Sequence, residues 1–318
     1  MRLKRLWFAA LLFAGAVQAQ EYPNRPVKMV VPFPPGGTTD VIARLLAPAL
    51  AKDLGQPVII DNRGGAGGTI GADIVAKSPP DGYSILLFHI GITYAPALYK
   101  TLPFDPVRDF APISLTGSAP SALVVPASLQ AASLAEFIAL AKAKPGALNY
   151  GSAGIGTSGH LAAELLGSLA GVKFTHVPYK GGGPAVTATI AGEVQFMVET
   201  AGSIVPHVKS GRLRALGTTG PKRTPSMPDA PTISEAGLKD YVYSTWYGLW
   251  APAGTPPAIV AKLSQSVRKV LAQDDTRAAF ANAGVDPETS TPERFAEVVR
   301  GDVSKWTRII KEAGITPQ

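Results

Sequence analysis

The sequence contains no cysteine among its 318 residues. Disulfides, thiolate metal ligands and cysteine nucleophiles are therefore excluded. Histidine is also scarce, and the four present have neither an HxH nor an HExxH spacing: they are His89, His160, His176 and His207. Because histidine metal sites are usually marked by such close spacings, the sequence predicts no metal site.

Acidic residues are outnumbered, with 23 Asp and Glu against 30 Lys and Arg, for a net charge of +7. The basic residues form no block and no stripe interleaved with aromatic side chains, which are the usual marks of a nucleic-acid-binding surface. After Val17, no apolar run reaches the roughly 20 residues that a membrane-spanning helix needs. The sequence therefore predicts neither a nucleic-acid partner nor a membrane-embedded mature protein.

The N-terminus has the three regions of a secretory signal peptide. A basic start leads into an apolar run from Leu6 to Val17, and a small-residue cleavage site ends at Ala19. A membrane anchor is the alternative, but the apolar run is too short to span a bilayer. We predict a signal peptide over residues 1–19, cleaved after Ala19, and export to the periplasm.

Short β-branched runs alternate with helical patterns along the rest of the chain. One set extends from Val27 to Phe88 and a second from Leu123 to Thr218. This alternation is typical of sheets covered by helices. The C-terminal helices have no sheet of their own, so we expect them to pack on the first set. The prediction is an α/β protein of two lobes, each a mainly parallel sheet flanked by helices, with residues 20–120 and 245–318 in lobe 1 and 121–244 in lobe 2.

Three glycine-rich turns each lie between a strand pattern and a helix pattern. They are Pro32–Asp40, Asn62–Thr69 and Gly151–His160. Glycine lets the backbone approach a ligand closely, and the start of a helix offers unpaired N–H groups with a partial positive charge. Turns of this kind bind carboxylate or phosphate without needing an arginine. They predict a receptor for a small anion.

The third turn has two other interpretations. Gly154 to Gly159 satisfies G-x-G-x-x-G, but the acidic residue that a dinucleotide site needs about 20 residues later is missing. We therefore predict no cofactor. Ser158 and His160 allow a hydrolase or isomerase as an alternative, although no carboxylate is evident to orient the histidine. Glu199, at a strand end, is either a contact for a ligand amine or hydroxyl or a solvated strand end.

Eight motifs, two of which overlap the first and second turns, follow one another along the chain. They are Tyr22-Pro23-x-x-Pro26, Val31-Pro32-Phe33-Pro34-Pro35-Gly36-Gly37-x-x-Asp40, Asn62-Arg63-x-Gly65-Ala66-Gly67-Gly68, Asp81-Gly82-Tyr83, His176-Val177-Pro178-Tyr179-Lys180-Gly181, Gly211-Arg212-Leu213-Arg214-Ala215-Leu216, Pro231-Thr232-x-x-Glu235-Ala236-Gly237 and Trp246-x-Gly248-x-x-Ala251-Pro252. In this order they resemble the Bug-type substrate-binding proteins of tripartite tricarboxylate transporters. The resemblance covers essentially all of the chain after the signal peptide.

The resemblance implies a type II periplasmic binding-protein fold, whose two lobes close on a small organic carboxylate. It also implies a non-enzymatic monomer that delivers its ligand to membrane transporter subunits; a sensor for a signalling protein is the alternative. In the family, backbone N–H groups and ordered waters of the first and third turns hold the carboxylate. Mapped onto this sequence, the expected ligand-binding residues are Phe33, Pro34, Gly36, Gly37, Thr38, Thr39, Ala66, Ser152, Ala153, Gly154, Thr157, Ser158, Glu199 and Thr200.

Overall fold

A computed structural model describes residues 22–224, 226–312 and 314–317. The predicted signal peptide lies outside these residues. The strands are β1 (Val27–Val31), β2 (Val58–Asn62), β3 (Ser84–His89), β4 (Phe110–Ala119), β5 (Ser121–Pro126), β6 (Asn149–Ser152), β7 (Thr175–Pro178), β8 (Phe196–Thr200), β9 (Leu213–Thr218) and β10 (Thr245–Pro252). The helices are α1 (Thr38–Leu54), α2 (Thr69–Ala76), α3 (Gly91–Leu98), α4 (Leu134–Ala143), α5 (Ser158–Ala170), α6 (Gly182–Ala191), α7 (Ala201–Lys209), α8 (Pro257–Leu271), α9 (Asp274–Asn282) and α10 (Pro292–Glu312).

The strands form two five-stranded sheets. Their orders are β2-β1-β3-β10-β4 and β7-β6-β8-β5-β9. Each sheet is mixed rather than mainly parallel: the β1, β2, β3 pairings and the β6, β7, β8 pairings are parallel, whereas β10 and β5 run antiparallel to both of their neighbours. Each of these two strands is the first that the chain forms after it passes from one sheet to the other. Helices flank both sheets, and the predicted two-lobed α/β fold is confirmed.

The chain passes between the sheets twice. It leaves the first sheet at the end of β4, crosses through Pro120 alone, and enters the second sheet with β5. It returns through residues 219–244 into β10. We call the sheet containing β1 with its helices the first lobe, and the sheet containing β6 with its helices the second lobe. This arrangement supports the predicted limits of 20–120 with 245–318 and 121–244, which stay a prediction.

The C-terminal helices pack on the first lobe, as expected from the sequence. Helices α8 and α10 lie against β4, and α10 also lies against α3. The contact between α10 and α3 is aromatic: Trp306 packs edge-on against Tyr94, with ring centroids 5.8 Å apart, and against Tyr243 at 5.4 Å. All three rings are almost completely buried. The aromatic side chains near β10 are therefore part of the core.

In the part of the chain that the structure describes, no helix is both long enough and apolar enough to cross a membrane. Nor do three or more His, Asp or Glu side chains come together there in a group that could hold a metal ion.

Candidate functional site

The first glycine-rich turn is held by one carboxylate. Asp40 is almost completely buried; its Oδ2 accepts a hydrogen bond from the Gly36 N–H at 3.0 Å, and its Oδ1 accepts one from Asn62 Nδ2 at 3.0 Å. Arg44 donates to both oxygens, at 2.8 and 3.1 Å. Burial alone would raise the pKa of Asp40, but these hydrogen bonds and the arginine charge outweigh it and lower that pKa. Asp40 therefore fixes the turn as an ionised group.

Asn62 adds a second tie to the same turn. Its Nδ2 also donates to the Phe33 carbonyl oxygen at 3.0 Å. The Phe33 ring stacks on His89, with centroids 4.9 Å apart, and meets Phe88 edge-on at 5.3 Å. Residues at the ends of β1, β2 and β3 thus together fix the conformation of the first turn. No local pattern in the sequence signals this role of Asn62, because its partners are 22 and 29 residues away.

Two stacked histidines form hydrogen bonds with the third turn. The rings of His160 and His176 lie 4.1 Å apart and nearly parallel. The Gly156 N–H donates to His160 Nδ1 at 3.1 Å, and Ser152 Oγ lies 2.6 Å from His176 Nε2. Burial lowers the pKa of His160 to about 3 and that of His176 to about 4. Both imidazoles are therefore neutral at neutral pH, and they serve as partners for the loop.

This arrangement shows whether Ser158 and His160 form a catalytic pair. His160 uses Nδ1 to accept from Gly156, whereas Ser158 Oγ lies 3.4 Å from the hydroxyl of Tyr94. Among the described residues no hydrogen bond joins Ser158 to His160. The pair is not arranged as a nucleophile and its base, which would need to be within hydrogen-bonding distance.

The helices that follow these turns begin without a capping side chain. Gly37 is the N-cap of α1, with φ −82° and ψ 166°, and it has no side chain. Thr157 is the N-cap of α5, but its hydroxyl donates instead to the Gly154 carbonyl oxygen at 2.7 Å. The first N–H groups of a helix have no partner within the helix. Both helix starts therefore keep donors available for an acceptor that comes from outside, such as an anion.

Both helix starts lie where the two lobes meet. Thr38 Oγ1, at the start of α1, is 3.2 Å from Thr200 Oγ1 at the end of β8. Tyr94 of α3, in the first lobe, approaches Ser158 of α5, in the second. We call this line of contacts, formed by Thr38, Thr200, Tyr94 and Ser158, the seam. It places the start of α1 and the start of α5 on opposite sides of the contact between the two lobes.

The second turn lies beside the third turn. Ala66 has a positive φ of 47°, and its carbonyl oxygen accepts a hydrogen bond from the Tyr99 hydroxyl at 3.0 Å. The next residue, Gly67, faces the Ile155 carbonyl oxygen of the third turn; a Cβ atom there would lie 3.8 Å from it. Ala66 therefore lies close to the third turn, as the sequence comparison with the Bug-type proteins implies.

Several of the predicted residues use their polar groups within the third turn and its supports, and not at the seam. Ser152 is fully buried and bonds with His176, and Thr157 bonds within its own turn. The Ala153 carbonyl oxygen accepts from the Gly181 N–H at 3.1 Å, which ties the third turn to the start of α6. These residues shape the loop through hydrogen bonds of their own. The prediction that all of them contact a ligand stays a prediction.

A cavity of about 530 Å³ adjoins the seam. It is lined by the start of α1, by α7 and by the end of α9, including Gly36, Thr38, Ser203 and Lys209. Of the residues predicted to bind ligand, Gly36 and Thr38 line it. The residues that line it include none of the third turn.

The model of the tripartite tricarboxylate transporter family receptors matches residues 42–315. The chain belongs to this family. The protein BugT of Bordetella pertussis is 37% identical over 97% of this chain and 95% of its own length. The structure of the periplasmic binding protein BugD is 37% identical, with a TM-score of 0.85, over 93% of this chain and all of that one. An R. palustris protein solved with adipate is 37% identical, with a TM-score of 0.87, over 94% of this chain and all of that one.

These relatives confirm the family expected from the motifs. The family and its solved members are periplasmic solute-binding proteins and not enzymes. The chain is accordingly a solute receptor, and the hydrolase or isomerase alternative is wrong, in agreement with the separation of Ser158 from His160.

The receptor should lose stability in mild acid because His89 is held neutral. Its Nδ1 accepts from the Gly91 N–H at 2.8 Å, and burial lowers its pKa from 6.5 to about 3. Between these values the unfolded chain binds a proton that the folded protein does not, so the free energy of unfolding falls as the pH falls. We expect His89→Asn, which keeps an acceptor for Gly91, to reduce this slope by about 1.4 kcal/mol per pH unit near pH 5.

Urea unfolding at pH 7, 6 and 5 measures this slope. His207→Asn on α7 is the matched control: that histidine is only half-buried, so its removal should change the slope less. An unchanged slope in His89→Asn contradicts the prediction.

Proposed function

We propose that this receptor is exported to the periplasm, binds a small organic carboxylate between its lobes as a monomer, and delivers it to a tripartite tricarboxylate-type membrane transporter. The carboxylate is bound by the N–H groups at the start of α1 and α5, from residues 37–39 on one side of the seam and from the loop 154–158 on the other. In that loop the N–H groups of Gly154, Gly156 and Thr157 already have partners, so those of Ile155 and Ser158 are the donors for the ligand. Ala66, Glu199 and Thr200 complete the site. The signal peptide is removed after Ala19.

The observation that carries the proposal is the pair of helix starts at the seam. Each has unpaired backbone donors and a positive end of its helix dipole, and one belongs to each lobe. An anion between them contacts both lobes, so it stabilises the closed arrangement through its higher affinity for that state. The adipate in the R. palustris relative is a carboxylate ligand of the kind this chemistry selects.

Recovery from the periplasm of a bacterial host tests export and binding together. We expect the purified chain to begin at Gln20, and native mass spectrometry to detect one acid released per protein on denaturation. Adding an acid at 100 times its Kd should raise the free energy of unfolding by about 2.7 kcal/mol. A protein that carries no acid and shows no melting shift across mono-, di- and tricarboxylates overturns the proposed ligand class.

Delivery is tested separately by uptake of the identified acid in cells with and without the receptor. Loss of uptake supports delivery to a transporter. Unchanged uptake with binding intact contradicts delivery and favours the sensor.

A further inference from the structure

Glu199 has one carboxylate oxygen that is satisfied and one that is not. Its Oε1 accepts hydrogen bonds from the Thr200 N–H at 2.7 Å and the Thr200 hydroxyl at 3.0 Å. Within residues 22–224, 226–312 and 314–317, no hydrogen bond reaches Oε2. Glu199 is half-buried, and Oε2 is not among the fully buried atoms without a partner in the described residues, so this oxygen is accessible and has capacity for one more donor.

The free oxygen lies next to a glycine. A Cβ atom at Gly182, the first residue of α6, would lie 3.1 Å from Oε2, so a side chain at that position would crowd this oxygen. On the side of the first lobe, the charge of Glu199 acts on Tyr247 of β10: burial first, and then this charge, raise the pKa of that hydroxyl. Thr200, which holds the other oxygen, contacts Thr38 at the start of α1.

The surroundings do not compensate the Glu199 charge with a cation. Burial raises its pKa in spite of the two hydrogen bonds from Thr200, and no salt bridge involving it occurs in the described ranges. A second anionic group placed next to Oε2 would meet a like charge in a site of low dielectric constant, where repulsion is strong. A donor placed there would instead gain a charge-assisted hydrogen bond.

From this geometry we infer that Glu199 determines ligand specificity, accepting through Oε2 a hydrogen bond from a hydroxyl or ammonium group of the bound acid. The inference rests on the proposed function, because it needs the ligand carboxylate at the starts of α1 and α5. The ligand class is then a monocarboxylate with a remote donor, a hydroxy acid or an amino acid. Di- and tricarboxylates that present an ionised group to Glu199 are rejected.

Glu199→Gln tests this assignment. The amide keeps the Oε1 acceptor for Thr200 and the side-chain length, but its second atom becomes an NH₂ donor. The probes are length-matched sets: 4-hydroxybutanoate, 4-aminobutanoate and succinate, then 6-hydroxyhexanoate, 6-aminohexanoate and adipate. We expect the wild type to favour the hydroxy or amino member of the set it binds. In the variant that member should weaken by about tenfold or more, and the diacid of the same length should strengthen by about tenfold.

Glu193→Gln is the matched control, since it removes an exposed carboxylate from the same lobe, in the turn between α6 and β8. It should leave the ranking of the six acids unchanged, which separates contact with Glu199 from a change in net charge. Glu199→Asp is a second variant, which keeps the charge but withdraws it by one methylene. It should weaken the donor ligands without strengthening the diacids. Melting curves establish that each variant is folded.

The possible results have distinct meanings. If Glu199→Gln binds with the wild-type ranking, the specificity role is wrong and the receptor function stands. If the wild type already prefers the diacids, the role is also wrong. If neither the wild type nor Glu193→Gln binds any carboxylate, including acids outside the two sets, the proposed function fails and this inference fails with it.

Discussion

Gly37→Asp should give a protein that is more stable than the wild type and no longer binds organic acids. Gly37 is the N-cap of α1, its φ of −82° and ψ of 166° suit any residue, and a Cβ atom there meets nothing within 4 Å. An N-cap aspartate accepts hydrogen bonds from the N–H groups two and three residues later, here Thr39 and Asp40. The substitution therefore supplies from within the protein the acceptor that we assign to the ligand.

The two effects have opposite signs and can be measured separately. Adding a cap should raise the free energy of unfolding by about 1 kcal/mol. Binding should weaken by about a hundredfold or more, because the ligand loses charge-assisted hydrogen bonds and meets a like charge. Urea unfolding reports the first effect and calorimetric titration of the identified acid reports the second.

Gln273→Asp provides the control at the start of α9. Gln273 is also an N-cap without a side-chain hydrogen bond, it is exposed, and the substitution adds the same charge. It should add stability and leave binding unchanged. If Gly37→Asp binds the acid as well as this control does, the start of α1 is not part of the ligand site.

Gly159→Ala should lower the free energy of unfolding by about 3 kcal/mol, although alanine is normally the better residue in a helix. Gly159 is the second residue of α5, and a Cβ atom there would overlap the Val198 carbonyl oxygen of β8. Backbone atoms cannot move aside as a flexible side chain can. The start of α5 must therefore lift from the sheet, and the third turn moves with it.

A second helical glycine shows that this cost comes from packing. Gly301, within α10, has nothing within 4 Å of its Cβ position, so Gly301→Ala should raise the free energy of unfolding by about 0.5 to 1 kcal/mol. Chemical denaturation of both variants and the wild type measures the contrast. Equal changes in the two variants contradict the close packing of α5 on β8.

Local sequence patterns predict an element well where its residue types favour the structure that it adopts. The run Leu213–Thr218 predicts a strand, and β9 has those limits. The sequence Ser133-Leu134-Ala135-Glu136 predicts a capping box at the start of a helix, and the Ser133 hydroxyl accepts from the Glu136 N–H at 3.2 Å. No local pattern predicts helix α3 or strand β4, because Pro96 lies inside the first and Pro112 inside the second. Their packing on α10 and pairing with β10 override the local signal.

The candidate site was predictable in position but not in detail. Glycine marked the turns, because the chain needs positive φ at residues such as Gly36 and Gly154. The mixed sheets could not be inferred, since pairing depends on distant residues. The same holds for the link between Asp40 and Asn62 and for the free oxygen of Glu199. Each results from contacts across the fold, which a single sequence does not specify.

The one-residue passage at Pro120 has a mechanical consequence. The proline ring fixes φ, and the Pro120 carbonyl oxygen accepts a hydrogen bond from the Ala201 N–H at 2.8 Å. Few torsions are then free at this point, so it acts as a nearly rigid pivot. The second connection is also held, because the Tyr243 N–H donates to the Thr219 carbonyl oxygen at 2.8 Å and the Tyr243 ring is buried. Opening should follow a single swinging path about Pro120, in which the distance of each turn from the pivot sets how far it travels.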